Sequence, residues 1–392
     1  MRRRAAIVVL DGCGVGAAAD AAAYGDVGSD TLGNLARARH GLHLPALEAA
    51  GLGRIVPIAG VESVSDPTAA WGRMCPASAG KDSTTGHWEI AGVRLDRAFP
   101  TYPDGFPAEV ITAFSRTTGR QVIANVAGSG TDIVNRFGPE QERTGAWIVY
   151  TSADSVFQIA AHEDVIPLAE LYAACEVARR QLQAPHDVSR VIARPFRGSE
   201  ERYERTANRR DYSLAPPAET LLDALAGAGV PRAGVGKVDD LFAGRALRAR
   251  HTSGNAEGIR LIREWLDGAE GGLLFANLVD FDTLYGHRAD AAGFERALRE
   301  FDDALPALRA ALREDDLLFI TADHGNDPTT GSTDHARENV PLLVMGDVVR
   351  PGPLGDRATF ADLGATAGEW LNVGFRGAGT SFLPQLERGR GA

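Results

Sequence analysis

The chain has few cysteines and no long hydrophobic run. Its three cysteines, Cys13, Cys75 and Cys175, are widely separated and form no CxxC pair, which argues against a disulfide framework or a structural zinc site and favours a reducing compartment. After the MRRR start, the first apolar run covers only residues 5–10, whereas a secretory signal needs about 7–15 apolar residues and a transmembrane helix about 18. We therefore expect a cytoplasmic protein that does not associate with membranes.

The chain also has fewer positively charged than negatively charged residues. The chain has 41 Lys and Arg residues against 52 Asp and Glu residues, a formal net charge of −11. General binders of nucleic acid or of anionic membranes need a basic surface that releases counterions, so the composition argues against both partners. An anionic substrate must be bound by local cations. The hydrophobic and charged fractions, 44% and 24%, are typical of folded globular proteins.

Hydrophobic patterning predicts an α/β protein. A length of 392 residues favours two domains, or one large domain with an insertion. Short apolar, β-branched runs predict buried strands, and helical periodicity between them predicts helices, one with Thr359 as its N-cap. This alternation is typical of a mostly parallel sheet flanked by helices. The predicted strands are 5–10, 147–151, 191–196, 233–238, 273–279, 317–321 and 340–345, and the predicted helices are 168–183, 219–228, 255–266, 291–313 and 359–371.

The middle of the chain differs in character from the rest. It contains a turn-rich stretch at 99–107 and a charged segment at 198–211 that has the pattern of neither a core strand nor a core helix. We interpret residues 99–214 as an inserted second domain, and residues 1–98 and 215–392 as the core. Pro216 and Pro217 suit an exit hinge, because paired prolines stiffen a connection and cannot continue a helix.

Three of the predicted core strands are followed by aspartates. Asp11 follows the first strand, Asp280 and Asp282 follow the run LFANLV, and Asp323 follows LFITA. The carboxyl ends of strands form the ligand crevice of open α/β sheets, so these carboxylates are expected to converge. A single aspartate after a strand is more often a turn or cap residue, but here histidines accompany the aspartates.

The histidines point to a metal centre. Three of the nine in the chain are His287, five residues after Asp282, His324, next to Asp323, and His335. Three aspartates and three histidines match two divalent cations with three protein ligands each, leaving positions open for a substrate oxygen. The alternative is that these are surface histidines near turn aspartates.

The segment GKDSTTGHWEIAG offers three consecutive hydroxyls, Ser83, Thr84 and Thr85. Hydroxyls are poor nucleophiles at neutral pH unless a base or a metal activates them. Next to a two-metal centre, one of them could be activated. Taken alone, the segment is more typical of a helix N-cap.

Several motifs together resemble those of the phosphopentomutases of the alkaline phosphatase superfamily. They are VVLDGCGVG, GSDTLGNLA, GKDSTTGHWEIAG, YTSADSVFQIAAHE, SRVIARPFRG, RTANRRDYSL, GVGKVDDLFAG, NLVDFDTLYGHR, TADHGNDPTT and STDHARENVPLL. They span nearly the whole chain in the family's order. The resemblance implies a metal-binding α/β core with an inserted α/β cap domain, and an isomerase that interconverts α-D-ribose 1-phosphate, or its 2-deoxy counterpart, with the corresponding 5-phosphate.

The same resemblance implies roles for individual residues. The family's phosphorylated nucleophile is a threonine after the Asp of the GKD motif, where this chain has Ser83, and the serine that usually follows the first metal aspartate is replaced by Gly12. A sugar bisphosphate would prime the enzyme. One Mn²⁺ would be held by Asp282, His287 and His335, and the other by Asp11, Asp323 and His324.

Substrate recognition is expected from the cap. The family suggests Ser152 and Asp154 for sugar hydroxyls, Arg190 and Arg205 for the distal phosphate, and Lys237, just after the insertion, for the same phosphate. Arginine suits this task because its planar fork matches phosphate. The alternatives are a metal-dependent phosphomonoesterase or a phosphoglycerate-type mutase on the same scaffold, or a non-catalytic protein that binds a metal or a sugar phosphate.

Overall fold

The strands form two sheets. The computed structural model describes residues 3–152, 154–199 and 202–386. Numbered along the chain, the strands are β1 (Arg4–Leu10), β2 (Ala70–Met74), β3 (Val122–Ala127), β4 (Trp147–Thr151), β5 (Val156–His162), β6 (Arg190–Ser199), β7 (Arg202–Arg205), β8 (Arg210–Ser213), β9 (Arg232–Val235), β10 (Ala249–Arg250), β11 (Gly272–Leu278), β12 (Asp316–Thr321), β13 (Val340–Met345) and β14 (Gly352–Arg357).

Helices lie between many of the strands and after the last one. They are α1 (Thr31–Ala38), α2 (Pro45–Ala50), α3 (Leu52–Ile55), α4 (Ser83–Ile90), α5 (Ala108–Thr118), α6 (Gly130–Thr144), α7 (Leu168–Gln181), α8 (Leu221–Gly227), α9 (Val238–Leu241), α10 (Asn255–Gly268), α11 (Ala291–Ala310), α12 (Ala361–Trp370) and α13 (Leu383–Leu386). A π-helical turn, Phe281–Tyr285, follows β11. Within the described ranges, none of the helices combines the length and the apolar character that a membrane span requires.

The chain divides into two compact units. The larger consists of Met1–Ala98 and Pro216–Ala392, and the smaller is Phe99–Ala215. The larger unit contains an eight-stranded sheet in the order β10-β9-β11-β1-β12-β13-β2-β14. Neighbours from β10 to β12 run parallel, β13 is antiparallel to both of its neighbours, and β2 runs parallel to β14. The predicted α/β architecture with a mostly parallel sheet is confirmed.

The register of the central strands aligns their carboxyl ends. In β1, Leu10 pairs with Leu278 of β11 and Val9 pairs with Thr321 of β12. All residues of these three strands are buried, which explains why their sequences are mostly apolar, since strands of a parallel sheet are covered on both faces. The loops after β1, β11 and β12 therefore start at one edge of the sheet.

The helices of the larger unit pack in two groups. In one group, α11 contacts α1, α2 and α10; in the other, α12 contacts α4 and α8, and α4 contacts α9. Both α9 and α10 also contact β11. Helix α4, which begins at Ser83, is therefore held by other helices of this unit as well as by its own N-cap.

The smaller unit has its own sheet and two apolar cores. Its sheet has the order β3-β4-β5-β6-β7, with β8 paired to β6. Alternation along β4 places Trp147 and Val149 in a core with α5 and α7, while Ile148 and Tyr150 belong to a second core with α6. The period of two along a strand thus gives the sheet two covered faces.

Two local predictions were wrong. The apolar stretch 233–238 is not one strand, because β9 ends at Val235 and Val238 begins α9; Gly236, between them, has a φ of 86°, in the left-handed region that ends strands. The N-cap of α12 is Phe360 rather than Thr359. The Thr359 hydroxyl still accepts a hydrogen bond from the Ala361 N–H at 3.1 Å. Thr359 therefore bonds to the first turn of the helix as predicted, but it lies one residue before the N-cap.

Candidate active site

Three buried aspartates lie at the carboxyl edge of the larger sheet. Asp11 follows β1, Asp282 lies in the turn after β11, and Asp323 lies just after β12; they are 3%, 4% and 2% exposed. The aligned ends of the strands bring them together. Asp280 does not join them, because its carboxylate accepts the N–H of Asn255 at the start of α10 at 2.6 Å.

Asp282, His287 and His335 form one group of candidate metal ligands, with one ligand atom from each lying within 4.8 Å of the others. His287 Nε2 is 3.1 Å from Asp282 Oδ2, and His335 Nε2 is 3.5 Å from Asp282 Oδ1. The two imidazole rings are in contact edge to face, with centroids 4.7 Å apart. The carboxylate thus has one imidazole nitrogen on each oxygen.

A second group within the same distance consists of Asp11, Asp282 and His324. His324 Nε2 lies 3.3 Å from Asp11 Oδ1 and 3.5 Å from Asp323 Oδ2. Asp282 therefore belongs to both groups, whereas the family resemblance implies that it belongs to one and that Asp323 belongs to the other. The second candidate cation position has three carboxylates around it rather than two.

The imidazoles are held in the tautomer that suits a metal. His287 Nδ1 lies 2.6 Å from the carbonyl oxygen of Thr333, and His324 Nδ1 lies 3.0 Å from that of Gly325. A carbonyl oxygen can only accept, so each Nδ1 carries the proton and the Nε2 beside the carboxylates is the ligand atom. Aspartate oxygens and imidazole nitrogens are common ligands of divalent metal ions such as Zn²⁺ and Mn²⁺. The residues present fit a pair of divalent cations.

Two asparagine amides orient the carboxylates. Asn277, inside β11, donates to Asp11 Oδ2 at 2.8 Å, and Asn326 donates to Asp282 Oδ1 at 2.6 Å. Both asparagines are buried. Neither asparagine was predicted from the sequence, although the polar residue in the apolar run LFANLV was a visible signal, because a buried amide in a strand needs a partner.

Ser83 is the first residue of α4. Its N-cap, Asp82, accepts the N–H of Thr85 at 3.1 Å. This cap fixes the start of the helix so that Ser83 Oγ lies 3.0 Å from His324 Nε2 and 3.5 Å from Asp11 Oδ1. The serine hydroxyl is thus beside the second group of candidate ligands.

The two neighbouring threonines are placed differently from Ser83. The Thr85 hydroxyl donates to the Asp82 carboxylate at 2.6 Å and so belongs to the helix cap. Thr84 is buried, with 6% of its surface exposed. Among the three hydroxyls of the segment, only that of Ser83 is hydrogen-bonded to the Asp and His cluster in the described structure.

His87 links α4 to the metal-ligand cluster. Its Nδ1 lies 2.9 Å from the carbonyl oxygen of Ser83 and 3.1 Å from Asp323 Oδ2, and its ring stacks on Phe275 at 5.5 Å. Gly86 allows this approach, because a Cβ there would lie 2.2 Å from the carbonyl oxygen of Asp323. The glycine and histidine of the GKDSTTGHWE motif therefore set the distance between Ser83 and Asp323.

Gly12 makes the turn after Asp11. Its φ is 77°, in the left-handed region that is strained for other residues, and its N–H donates to Asp323 Oδ1 at 3.1 Å. A Cβ at this position would lie 3.0 Å from Cβ of Asn326. Glycine therefore suits the turn that this chain makes where the resembling family has serine.

Arg337 anchors the chain that precedes Ser83. Its guanidinium is buried, donates to the carbonyl oxygens of Ser78 and Gly80 at 2.6 Å each, and forms a two-point ion pair with Asp20. Bidentate arginine pairs hold geometry as well as charge. This arginine was not predicted from the sequence, because its partners, main-chain carbonyls and Asp20, are distant in sequence.

Charges in the cluster are strongly coupled. Burial, together with the nearby charges of Asp323 and Asp282, raises the pKa of Asp11 to about 6. Burial also disfavours ionisation of Asp282, but the positive charge of His335 and the hydrogen bond from His287 outweigh it and hold its pKa well below the usual value. The cluster thus attracts positive charge.

The pKa values of two histidines in the cluster are raised. The hydrogen bond to Asp282 raises the pKa of His287 to about 9. Burial disfavours a charged His324, but the carboxylates of Asp323 and Asp11 outweigh it and raise its pKa well above the ordinary value. Without a metal, protons on imidazole therefore neutralise the carboxylates.

The predicted substrate residues of the smaller unit lie together. Ser152, Asp154, Arg190 and Arg205 all line one pocket of about 300 Å³. Lys237 lies in the larger unit, exposed, as the N-cap of α9. The pocket contains further arginines that the sequence analysis did not single out.

Comparison with known proteins gives consistent matches. Residues 3–374 match the model of the metalloenzyme superfamily. A phosphopentomutase of Desulfitobacterium hafniense is 53% identical over 98% of this chain and 100% of its own, and one of Anaeromyxobacter dehalogenans is 55% identical over 99% and 100%. Among solved structures, a phosphoglycerate mutase of Leishmania mexicana covers 95% of this chain and 96% of its own, at 13% identity and a TM-score of 0.49.

Proposed function

The chain belongs to the phosphopentomutase family of the metalloenzyme superfamily, and from this premise we propose that Ser83 carries the phosphoryl group in an isomerase that interconverts ribose 1-phosphate and ribose 5-phosphate. The 2-deoxyribose phosphates are substrates of the same reaction. The observation that carries the proposal is the position of the Ser83 hydroxyl, 3.0 Å from His324 Nε2 and 3.5 Å from Asp11 Oδ1.

Two divalent cations, which we propose are Mn²⁺, would be held by Asp11, Asp282, Asp323, His287, His324 and His335. When bound, they would neutralise the charge of the phosphoryl group and lower the pKa of the Ser83 hydroxyl. The Thr333 and Gly325 carbonyls support this assignment, because each accepts from Nδ1, so that Nε2 is the nitrogen that gives up its proton when a cation binds.

The chain's own residues then account for the transfer. Phosphorylated Ser83 donates its phosphoryl group to the 5-hydroxyl of ribose 1-phosphate: the bond between phosphorus and the Ser83 oxygen breaks, the bond between phosphorus and the 5-oxygen forms, and the hydroxyl proton passes to the Ser83 oxygen. In the resulting 1,5-bisphosphate, the Ser83 hydroxyl attacks the phosphorus of the 1-phosphate, the bond between that phosphorus and the 1-oxygen breaks, the 1-oxygen takes the proton, and ribose 5-phosphate leaves. A sugar bisphosphate starts the cycle by phosphorylating Ser83. His87 and the Asp82 cap hold the serine in place throughout.

Substrate recognition belongs to the pocket of the smaller unit in this proposal. Ser152 and Asp154 bind sugar hydroxyls, while Arg190 and Arg205 bind the phosphate that is not being transferred, with Lys237 of the larger unit as a further cation. The clustering of the four smaller-unit residues around one pocket supports this assignment. Guanidinium groups suit a phosphate because two N–H groups can bind two of its oxygens.

We also propose a cytoplasmic location. The substrates are sugar phosphates, and the three cysteines are free thiols, two of them buried. Free cysteines are typical of a reducing compartment.

A product analysis tests the proposed reaction. Purified protein loaded with Mn²⁺, primed with a trace of a sugar 1,5- or 1,6-bisphosphate, is incubated with ribose 1-phosphate, and ribose 5-phosphate and free phosphate are quantified together. We expect conversion to ribose 5-phosphate with little free phosphate. Free phosphate as the main product would contradict the mutase and establish a phosphomonoesterase, because water would then accept the phosphoryl group from Ser83.

Metal binding is expected to release protons. In the metal-free protein the pKa of His287 is about 9, so at about pH 7.5 its imidazole is mostly protonated, and binding a cation must displace that proton. The affinity for Mn²⁺ should therefore rise with pH towards about 9, and fall more steeply below about 6, where Asp11 becomes protonated. Titration calorimetry in two buffers of different ionisation enthalpy measures the number of protons released.

Replacement of His287 by alanine provides the control for this prediction. The variant should release about one proton fewer than the wild-type protein on binding Mn²⁺. Metal binding without proton release in the wild-type protein would contradict the assignment of protonated imidazoles as ligands.

A further inference from the structure

The pocket of the smaller unit holds more positive charge than its nearby acids neutralise. Four arginines line it: Arg190, Arg194, Arg205 and Arg209. Asp211 forms a two-point contact with Arg209 at 2.6 Å and lies 3.6 Å from Arg190, whose other acidic neighbour is Asp154 at 3.7 Å. These acids leave two of the four guanidinium groups, those of Arg194 and Arg205, without a carboxylate within 4 Å in the described ranges.

Arg194 is the more buried of those two. It is half-buried in β6, and its Nε donates to Oε1 of Gln158 at 3.0 Å. This neutral amide is its one side-chain partner among the described residues, so Nη1 and Nη2 remain available. Burial and the like charges of Arg209 and Arg205 lower the pKa of the Arg194 guanidinium. An anion in the pocket would relieve this repulsion.

The strand register explains why Gln158 and Arg194 meet. Gln158 of β5 pairs with Ile192, and Ala160 pairs with Arg194 in β6. Side chains alternate along a strand, so one face of the sheet carries Gln158, Arg190 and Arg194. It is the same face on which Ala160 packs in the core with α6. The amide therefore holds the arginine on the floor of the pocket.

The start of α6 also borders the pocket. Gly128, Ser129 and Gly130 line it, and Ser129, the N-cap, makes no side-chain capping bond. A Cβ at Gly130 would lie 3.1 Å from Nη1 of Arg205, so glycine lets this arginine lie against the helix end. Free N–H groups at a helix start attract anions, which adds to the charge of the guanidinium groups.

We propose that Arg194 is a further phosphate-binding residue of this pocket, and that Gln158 is the positioning residue that holds its guanidinium for that task. The ligand is the phosphate of a pentose phosphate, so the inference rests on the proposed function. A neutral amide is suited to this role, because it fixes Nε without consuming the positive charge, as a carboxylate would.

The replacement Gln158→Glu tests this directly. It keeps the shape of the side chain but places a carboxylate 3.0 Å from Arg194 Nε, where it competes with the phosphate. We expect the dissociation constant and the KM for ribose 5-phosphate to rise about tenfold, the effect of losing one charge-assisted hydrogen bond, while kcat changes less than about threefold. The charge-matched control is Gln183→Glu, at an exposed site outside the pocket, which should leave both constants unchanged.

A double-mutant cycle separates recognition from a structural role. Arg194→Met should weaken binding at least as much as Gln158→Glu, and Gln158→Glu should cause a smaller further loss in the Arg194→Met background than in the wild-type background, because most of its effect acts through the arginine. Arg194→Lys should recover part of the affinity. Ribose 5-phosphate binding is measured by calorimetry on the full, Mn²⁺-loaded protein, alongside steady-state kinetics.

The outcomes distinguish this inference from the proposed function. If the wild-type protein interconverts the pentose phosphates but Gln158→Glu and Arg194→Met bind ribose 5-phosphate within about twofold of it, Arg194 is not a phosphate ligand. If the two replacements weaken ribose 5-phosphate binding independently, so that their losses in binding free energy add, Gln158 does not act through Arg194 and the proposed positioning role is wrong. If the wild-type protein forms no ribose 5-phosphate, the proposed reaction is wrong, and the calorimetric cycle still decides whether the pocket binds phosphate through Arg194.

Discussion

Replacing Ser83 with alanine is expected to reduce mutase activity by about 10⁴-fold or more, the scale of loss when a catalytic nucleophile is removed. The reason is geometric: the Ser83 hydroxyl is the one beside His324 and Asp11, while that of Thr85 is committed to the helix cap. Metal content should remain at the wild-type value, because Ser83 lies outside the two candidate ligand groups. Steady-state assay and elemental analysis measure the two quantities.

Phosphate labelling and two further variants sharpen this test. The wild-type protein should retain label from a sugar bisphosphate primer and Ser83→Ala should not. The matched control Thr84→Val removes the adjacent hydroxyl at nearly constant volume and should keep activity within about threefold, whereas Ser83→Thr should remain active because it keeps a nucleophilic oxygen. Mutase activity above about 1% in Ser83→Ala would place the phosphorylated residue elsewhere.

The convergence of the candidate aspartates was predictable because strong strand signals precede them. Asp11 and Asp323 come directly after buried, continuous apolar runs, and parallel strands end at one edge of a sheet. The sharing of Asp282 between both ligand groups was not predictable. It depends on the π-helical turn Phe281–Tyr285, whose path sets where the carboxylate lies, and sequence spacing does not encode that path.

The fold was predictable to different degrees in different strands. Central strands such as β1 and β12 are fully buried and contain long apolar runs, AAIVVL and LLFI, so their sequence alone identifies them. The edge strands β7, RYER, and β14, GPLGDR, have mostly exposed residues and are held by their neighbours' hydrogen bonds rather than by burial. Such strands carry little hydrophobic signal, which is why the sequence analysis left them out.

The second large effect is expected from Asp282→Asn, which should remove both cations and reduce mutase activity by about 10³-fold or more, since cations at such sites supply several kcal/mol of charge stabilisation. Asp282 is the one residue common to both ligand groups. The asparagine keeps the volume and can still accept the hydrogen bond from Asn326, so the change is in charge. Elemental analysis of protein dialysed against limiting Mn²⁺ should find two equivalents in the wild type and close to none in the variant.

His287→Ala is the matched comparison, because His287 belongs to one group only. It should retain about one equivalent of Mn²⁺ while losing most activity. The difference in Mn²⁺ content between the two variants shows which residues of the cluster bind each cation. If Asp282→Asn also retained one equivalent, Asp282 would serve a single cation and Asp323, whose Oδ2 lies 3.5 Å from His324 Nε2, would complete the other site, as the family resemblance implies. A shared carboxylate predicts loss of both cations together, because removing its negative charge weakens each position at once.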